Sequence, residues 1–241
     1  MPEFTEIWSY LSEGPLLWLT MTLLAYAVGD AAARAAGRAP LVNPVLVSVI
    51  LLAGLLWLTD TPYPVYLEGA QFVHFMLGPA TVALAVPLYS NLPQLRGAGL
   101  AIAAALVAGS GTAILSALGI AALMGVDTMT LASLAPKSAT APVALGISET
   151  LGGSPTLTAV LVILTGIIGA IVVTPLLDAL GIRDWRARGF AVGVAAHGIG
   201  TARALQVNAR AGAFAGIGMG LNAVLTALIA PWALALALML S

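Results

Sequence analysis

Apolar stretches of membrane-spanning length follow one another along this chain, and the joints between them carry most of its charge. In order they are Pro15–Ala33, Leu41–Leu58, Ala70–Tyr89, Ala98–Met124, Leu131–Ile147, Thr156–Leu180, Gly189–Leu205 and Gly212–Leu240. A helix needs about 20 apolar residues to cross a bilayer. Six of the eight stretches reach or approach that length, the second being a little short. The other two, Leu131–Ile147 and Gly189–Leu205, are shorter and hold Lys137 and Arg203. They are cut by Pro136 and Pro142 or by Gly193, Gly198 and Gly200. Charge and helix breakers at membrane depth are tolerated where the backbone lines a cavity or a site. The pattern predicts an all-α polytopic membrane protein with about six full transmembrane helices and two broken or re-entrant helical segments. They are expected to form a single integral membrane domain over 1–241.

Composition sharpens this picture. The chain is 60% hydrophobic and 8% charged, against about 25% charged in soluble domains. A net charge of -1 without a basic patch gives no reason to expect nucleic acid as a partner. The absence of cysteine excludes disulfides, thiolate catalysis and thiolate metal sites. No HExxH, no GxSxG with its partner acid and histidine, no Walker lysine loop and no metal-ligand spacing occurs. The chain is therefore read as no enzyme, with no cofactor and no metal. Met1 to Gly14 carries Glu3, Glu6 and Glu13 and lacks a positively charged leader, so the first span is expected to stay attached.

Lys and Arg collect on the cytoplasmic side of membrane proteins, so the charged joints orient the spans. Arg34 and Arg38 follow the first stretch, Asp60 and Glu68 the second, Arg96 the third and Asp127 the fourth. This alternation puts the N-terminus outside and Arg96 inside. A full crossing by Leu131–Ile147 would carry Arg183, Arg186 and Arg188 outside, whereas a segment that dips in and returns keeps them inside. The same reasoning makes Gly189–Leu205 a hairpin entering from the cytoplasm, with Arg210 inside and the C-terminus outside. Two hairpins from opposite faces would meet near the midplane and direct half-helix N-termini at an anion.

An internal repeat fits this reading. An offset of 61 pairs Thr140-Ala141 with Thr201-Ala202 and Leu164-Thr165 with Leu225-Thr226, and a weaker copy at Gly78 to Leu88 puts Ala80-Thr81 59 residues before Ala139-Thr140. Each unit reads as a small-residue break followed by a long apolar span. Chance matches in Ala/Gly/Leu-rich sequence are the rival, and the sequence leaves open whether the units run parallel or inverted.

Candidate chemistry gathers in the broken segments. Lys137 is the candidate substrate cation, with pairing to Glu149 or snorkelling to the surface as alternatives. Ser138 and Thr140 either bond substrate oxygens or bond back to the helix carbonyl four residues earlier. In the second segment Thr201 is a further hydroxyl, and Arg203 either clamps a carboxylate or marks the cytoplasmic end of the hairpin. His197 is the first candidate for a proton carrier, with Glu149 and His74 beside it. Thr81 and Asn222 complete the substrate-binding candidates, Asn222 having helix bridging as its alternative. Pro79, Pro136, Pro142, Gly198 and Gly200 are the candidate helix breaks, or else places of close helix packing.

Five strings carry a resemblance: NPVLVSVILL from Asn43, EGAQFVHFMLGPATVALAVPLY from Glu68, SLAPKSATAPVALGISETLGG from Ser133, TAVLVILTGIIGA from Thr158 and AAHGIGTARAL from Ala195. Over about Leu41 to Pro231 the chain resembles the LrgB/CidB family. The resemblance implies a multi-pass protein of the cell inner (cytoplasmic) membrane. Members are named antiholin-like, or regulators of murein hydrolase export and cell lysis. Relatives include the C-terminal half of a plastidial glycolate/glycerate transporter, and some bacterial members are linked to pyruvate uptake. A small LrgA/CidA-type membrane protein is the implied partner, and a homodimer is a further expectation. The residue chemistry favours a carboxylate carrier, proton-coupled and working by alternating access, and the resemblance implies small monocarboxylates of the glycolate, glycerate or pyruvate type as its substrates. The alternative is the antiholin-like regulator acting with its partner.

Overall fold

The computed structural model describes residues 14–83, 89 and 99–239. Its regular elements are helices, and no strand occurs among the described residues. They are α1 (Pro15–Ala35), α2 (Pro44–Leu58), α3 (Tyr63–Ala83), α4 (Gly99–Leu123), α5 (Thr128–Leu134), α6 (Ala141–Thr150), α7 (Pro155–Ala179), α8 (Trp185–Val207) and α9 (Ala209–Leu238). Four of them, α1, α4, α7 and α9, are long and apolar enough to cross a membrane, and α2 is a shorter apolar helix of 15 residues. The sequence places the third span at Ala70–Tyr89, but α3 begins earlier, at Tyr63. Residues 84–88 lie outside the described residues.

The chain divides into two compact units, Met1–Thr81 and Val82–Ser241. In the first, α1 and α2 pack through small residues. A Cβ on Gly29 would strike the Pro44 carbonyl at 2.5 Å, and Ser48 of α2 donates to the Ala25 carbonyl of α1 at 3.3 Å. The Asn43 side chain caps α2 by accepting from the N–H of Val45 and Leu46 at 2.9 and 3.2 Å. Trp18, fully buried, meets Tyr66 of α3 edge to face at 5.9 Å.

The second unit is built on α4, α7 and α9, with two hairpins between them. Leu118 and Ala122 at the end of α4 share one apolar cluster with Leu131 and Ala132 of α5 and with Ala230, Ala233 and Ala237 near the end of α9. Ile147 and Leu151, at the end of α6, pack on the same cluster. The 128–150 segment therefore starts and finishes at the same end of the bundle, as a re-entrant hairpin. A hydroxyl network ties both its arms to the start of α7. The Thr158 hydroxyl lies 2.7 Å from the Ser148 hydroxyl and 3.0 Å from the Ser133 carbonyl, and Ser154 donates its N–H to the Ser133 hydroxyl at 2.8 Å.

The second hairpin is α8 itself. Its backbone leaves helical geometry at Ala196 (φ -130°, ψ 19°) and His197 (φ 40°, ψ -134°) and reverses there. A Cβ on Gly200 would meet Val192 of the first arm, and Ala204 shares an apolar cluster with Val192, Ala196, Ala211 and Ala215. The outer ends of both arms, at Trp185, Arg188, Arg203 and Val207, face Val173, Thr174 and Leu177 near the end of α7. The first hairpin thus enters beside the start of α7 and the second beside its end, from opposite faces. Hairpin plus span, α5–α6 with α7 and α8 with α9, is an inverted pair, which decides the direction that the sequence left open. Asp127 stands at the first hairpin's face, and Arg183, Arg186, Arg188 and Arg210 stand at the other. By the positive-inside bias the second face is cytoplasmic.

The surface of this unit is apolar and its interior partly polar. Leu100, Val107, Ile120, Val224 and Leu228 are exposed, whereas Ser110, Thr158, His197, Thr201 and Asn222 are buried. A soluble domain sorts side chains the other way, so lipid is the medium this surface fits.

Candidate functional site

The two hairpin tips converge on Val162, the eighth residue of α7. Ala139 and Ala144 of the first hairpin form an apolar cluster with the Val162 side chain. The ring Nε2 of His197, at the second tip, is 2.8 Å from the Val162 carbonyl. A carbonyl only accepts, so Nε2 carries the proton of that bond. Gly166 and Gly169, one and two turns further along α7, admit this approach. A Cβ at either position would overlap His197 and Ile199 or Ala196.

Each tip is made by local chemistry. In the first, Lys137 donates its N–H to the Leu134 carbonyl at 3.1 Å and Ala139 to the Pro136 carbonyl at 2.8 Å. Pro136 has no N–H, which suits a turn where the helix stops. Thr140, extended at φ -65° and ψ 144°, stands at the N-cap of α6, but its hydroxyl does not cap the helix. Thr140 is buried, and the following helix starts with Ala141 and Pro142. Its first N–H groups are directed at the tip, as the positive end of the half-helix dipole. Partly buried Lys137 donates to the Ser138 hydroxyl at 3.2 Å, and Ser138 itself is buried. In the second tip, Thr201 donates to the His197 carbonyl at 2.8 Å, the helix back-bond that was its alternative role.

Of the expected site residues, the structure brings together Lys137, Ser138, Thr140, His197 and Thr201. Asn222 lies behind the first tip as a bridge. Its Nδ2 donates to the Ser138 carbonyl at 2.9 Å and its Oδ1 accepts from Ser110 at 2.6 Å. Arg203 is not at the tips. It lies six residues beyond His197, among Thr174, Trp185 and Arg188 at the cytoplasmic mouth of the hairpin. This is its plainer alternative. Arg188 there donates to Asp178 at 2.6 Å and to the Ile182 carbonyl at 3.1 Å, and its guanidinium stacks over Trp185 at 4.9 Å. Glu149 is exposed near the outer end of α6. The side-chain hydrogen bond of Lys137 goes to Ser138, not to Glu149, whose pairing with it was the alternative reading. His74 and Thr81 lie on α3, with side chains outside the described residues.

The expected helix breaks are redistributed. Pro79 sits inside α3, which continues through it to Ala83. Pro136 lies in the break, whereas Pro142 starts a helix rather than ending one. The second reversal falls at Ala196–His197, with Gly198 and Gly200 just after it. Gly200 serves the close approach of the arms. Sequence reasoning missed Ala196 as part of the break, Val162 as the shared anchor, and the Ser133, Ser148 and Thr158 network. The signal available for the last was three buried-type hydroxyls in otherwise apolar helices.

Opposed re-entrant hairpins that meet at a polar locus within an apolar helical bundle define a multi-pass membrane protein of the inverted-repeat class. The chain belongs to the LrgB-like family, whose model matches residues 22–236. It is 38% identical over 192 residues to the uncharacterized protein YwbG of Bacillus subtilis, covering 80% of this chain and 85% of that one. It is 33% identical to the Holin-like protein CidB of Staphylococcus epidermidis, over 80% of this chain and 84% of the relative. The Antiholin-like protein LrgB of Bacillus cereus is 29% identical over 90% of this chain and 94% of its own length. No solved structure matches the chain.

Proposed function

We propose that this protein is a carrier of small monocarboxylates of the glycolate, glycerate or pyruvate type. The observation that carries the reading is the meeting of two hairpin tips from opposite faces at Val162. A cation at Lys137, an uncommitted buried hydroxyl at Thr140 and the N-terminus of α6 gather at the first tip. This set suits one carboxylate. The Lys137 ammonium attracts the anion, the Ser138 and Thr140 hydroxyls orient it, and the half-helix dipole lowers the cost of its charge in a dry interior. Arg203 and Arg188, at the cytoplasmic mouth, attract anions towards the site. His197 is the proton carrier of the proposal, since its ring sits at the second tip against the Val162 carbonyl where the two tips meet.

The names of the relatives favour a second reading more than this one. As an antiholin-like regulator of murein hydrolase export and cell lysis, the chain would act with an LrgA/CidA-type membrane partner and move no solute of its own. Uptake of radiolabelled glycolate and pyruvate into proteoliposomes separates the two. The carrier reading expects saturable uptake that is lost in Lys137→Ala and weakened in Thr140→Val. Absence of uptake both for this chain alone and with its partner added, or normal transport by both variants, would overturn it.

A further inference from the structure

We infer that Asn222 is a positioning residue, the side chain that holds the first hairpin tip at mid-depth and so sets where Lys137, Ser138 and Thr140 present their polar groups. The purpose of the tip rests on the carrier reading, whereas the action of Asn222 rests on geometry. Asn222 is 1% exposed and is the fourteenth residue of the 30-residue α9, roughly 20 Å from the helix start at about 1.5 Å per residue. Its amide is largely spent on protein. Nδ2 donates to the Ser138 carbonyl at 2.9 Å, and Oδ1 accepts from the Ser110 hydroxyl at 2.6 Å and the Thr226 hydroxyl at 3.3 Å. The Ser138 carbonyl can only accept, so turning the amide over would set two acceptor oxygens against each other. Two hydroxyl donors on the far side hold the same orientation. One amide thereby joins α4, α9 and the tip.

The tip depends on it because the tip has few other bonds. Its backbone is held by the bonds from Lys137 to Leu134 and from Ala139 to Pro136, and Ala144 donates back to the Thr140 carbonyl. Without Asn222 the Ser138 carbonyl loses its partner in a water-poor interior, where a bare carbonyl is costly. The outer end of the hairpin is held separately, through Ser133, Ser148 and Thr158. Removing Asn222 should therefore release the tip and leave the outer end in place.

The chain has no native cysteine, so single thiols read the two places cleanly. Ala139→Cys reports on the tip and Ala132→Cys on the outer end, both positions being 0% exposed in the parent chain. Labelling by N-ethylmaleimide is followed on the full chain in proteoliposomes. Asn222→Ala is expected to speed labelling at Cys-substituted Ala139 by about tenfold, the scale set by losing a buried hydrogen bond, with Ala132→Cys unchanged. Ser110→Ala should act in the same direction by a smaller factor. Unchanged labelling of the tip, or an equal rise at tip and outer end, would overturn the inference, the latter by making Asn222 a general packing residue. Labelling needs no substrate, so the result is independent of whether glycolate or pyruvate is carried. Where either is carried, Asn222→Ala should raise KM more than it lowers the maximal rate. Lost uptake with an unmoved tip would instead put Asn222 in direct contact with substrate and refute the positioning role.

Discussion

Replacing Gly193 with alanine tests whether the second hairpin is held by backbone-to-backbone packing. Gly189 and Gly193, one turn apart on the first arm of α8, face Ala211 and Ala215, one turn apart on α9. A Cβ added at either glycine would fall on the facing alanine carbonyl. A carbonyl in the middle of a helix cannot swing aside as a side chain can, so the two helices must part. Small residues at membrane helix interfaces exist to allow this approach. Overpacking of this kind costs about 1–3 kcal/mol. At roughly 2–4 °C per kcal/mol for a chain of this size, the midpoint of thermal unfolding in detergent should fall by about 2–12 °C. Gly216 is the control, because a Cβ there meets nothing within 4 Å. Gly216→Ala should be neutral or stabilising by up to about 1 kcal/mol, since alanine loses less backbone freedom in a helix. Only Gly193→Ala is thus expected to lose stability. A Gly193→Ala midpoint equal to or above that of the parent, or equal losses in both variants, would refute the packing account.

Other predictions follow from the same contacts. Thr158→Val removes the hydroxyl shared by Ser133, Ser148 and Ser154 at nearly constant volume. At about 0.6 kcal/mol per membrane hydrogen bond, it should cost roughly 1–2 kcal/mol and lower the midpoint by several degrees. Arg188→Met breaks its bonds to Asp178 and to the Ile182 carbonyl, and should cost about 1–3 kcal/mol in chemical unfolding. Asp184 caps α8 and bonds Arg186, whose guanidinium holds its carboxyl at about 2. A carboxyl depressed below its usual value of about 4 contributes stability above that value and loses it as pH falls through about 2. Asp184→Asn keeps the capping oxygen, so its deficit should be small, screened by salt, and should vanish on titration from about pH 4 to about pH 2. A deficit that persists unchanged at low pH would rule out the ion pair as its cause.

Most of the element plan was legible in the chain, because crossing a bilayer demands long apolar runs and the sequence supplies them. Thr156–Leu180 became α7 at Pro155–Ala179, and Ala98–Met124 became α4 at Gly99–Leu123, since nothing but lipid-compatible helix suits such stretches. The two exceptional segments were equally legible, and loop arginines argued that both re-enter. The fate of each polar residue was not. Arg203 and Lys137 look alike in sequence, yet one ends at a hairpin mouth and the other at a tip. Glu149 lies twelve residues from Lys137, and the helix between them carries it to the surface. The reversal came at Ala196–His197 rather than at the nearby glycines because the closing contact is supplied by α7, through the Val162 carbonyl and the space left by Gly166 and Gly169. Local sequence determined where a helix could stop. Which residue stands at the stop, and what it touches there, was decided by helices distant in the chain, which supply the missing hydrogen-bond partners.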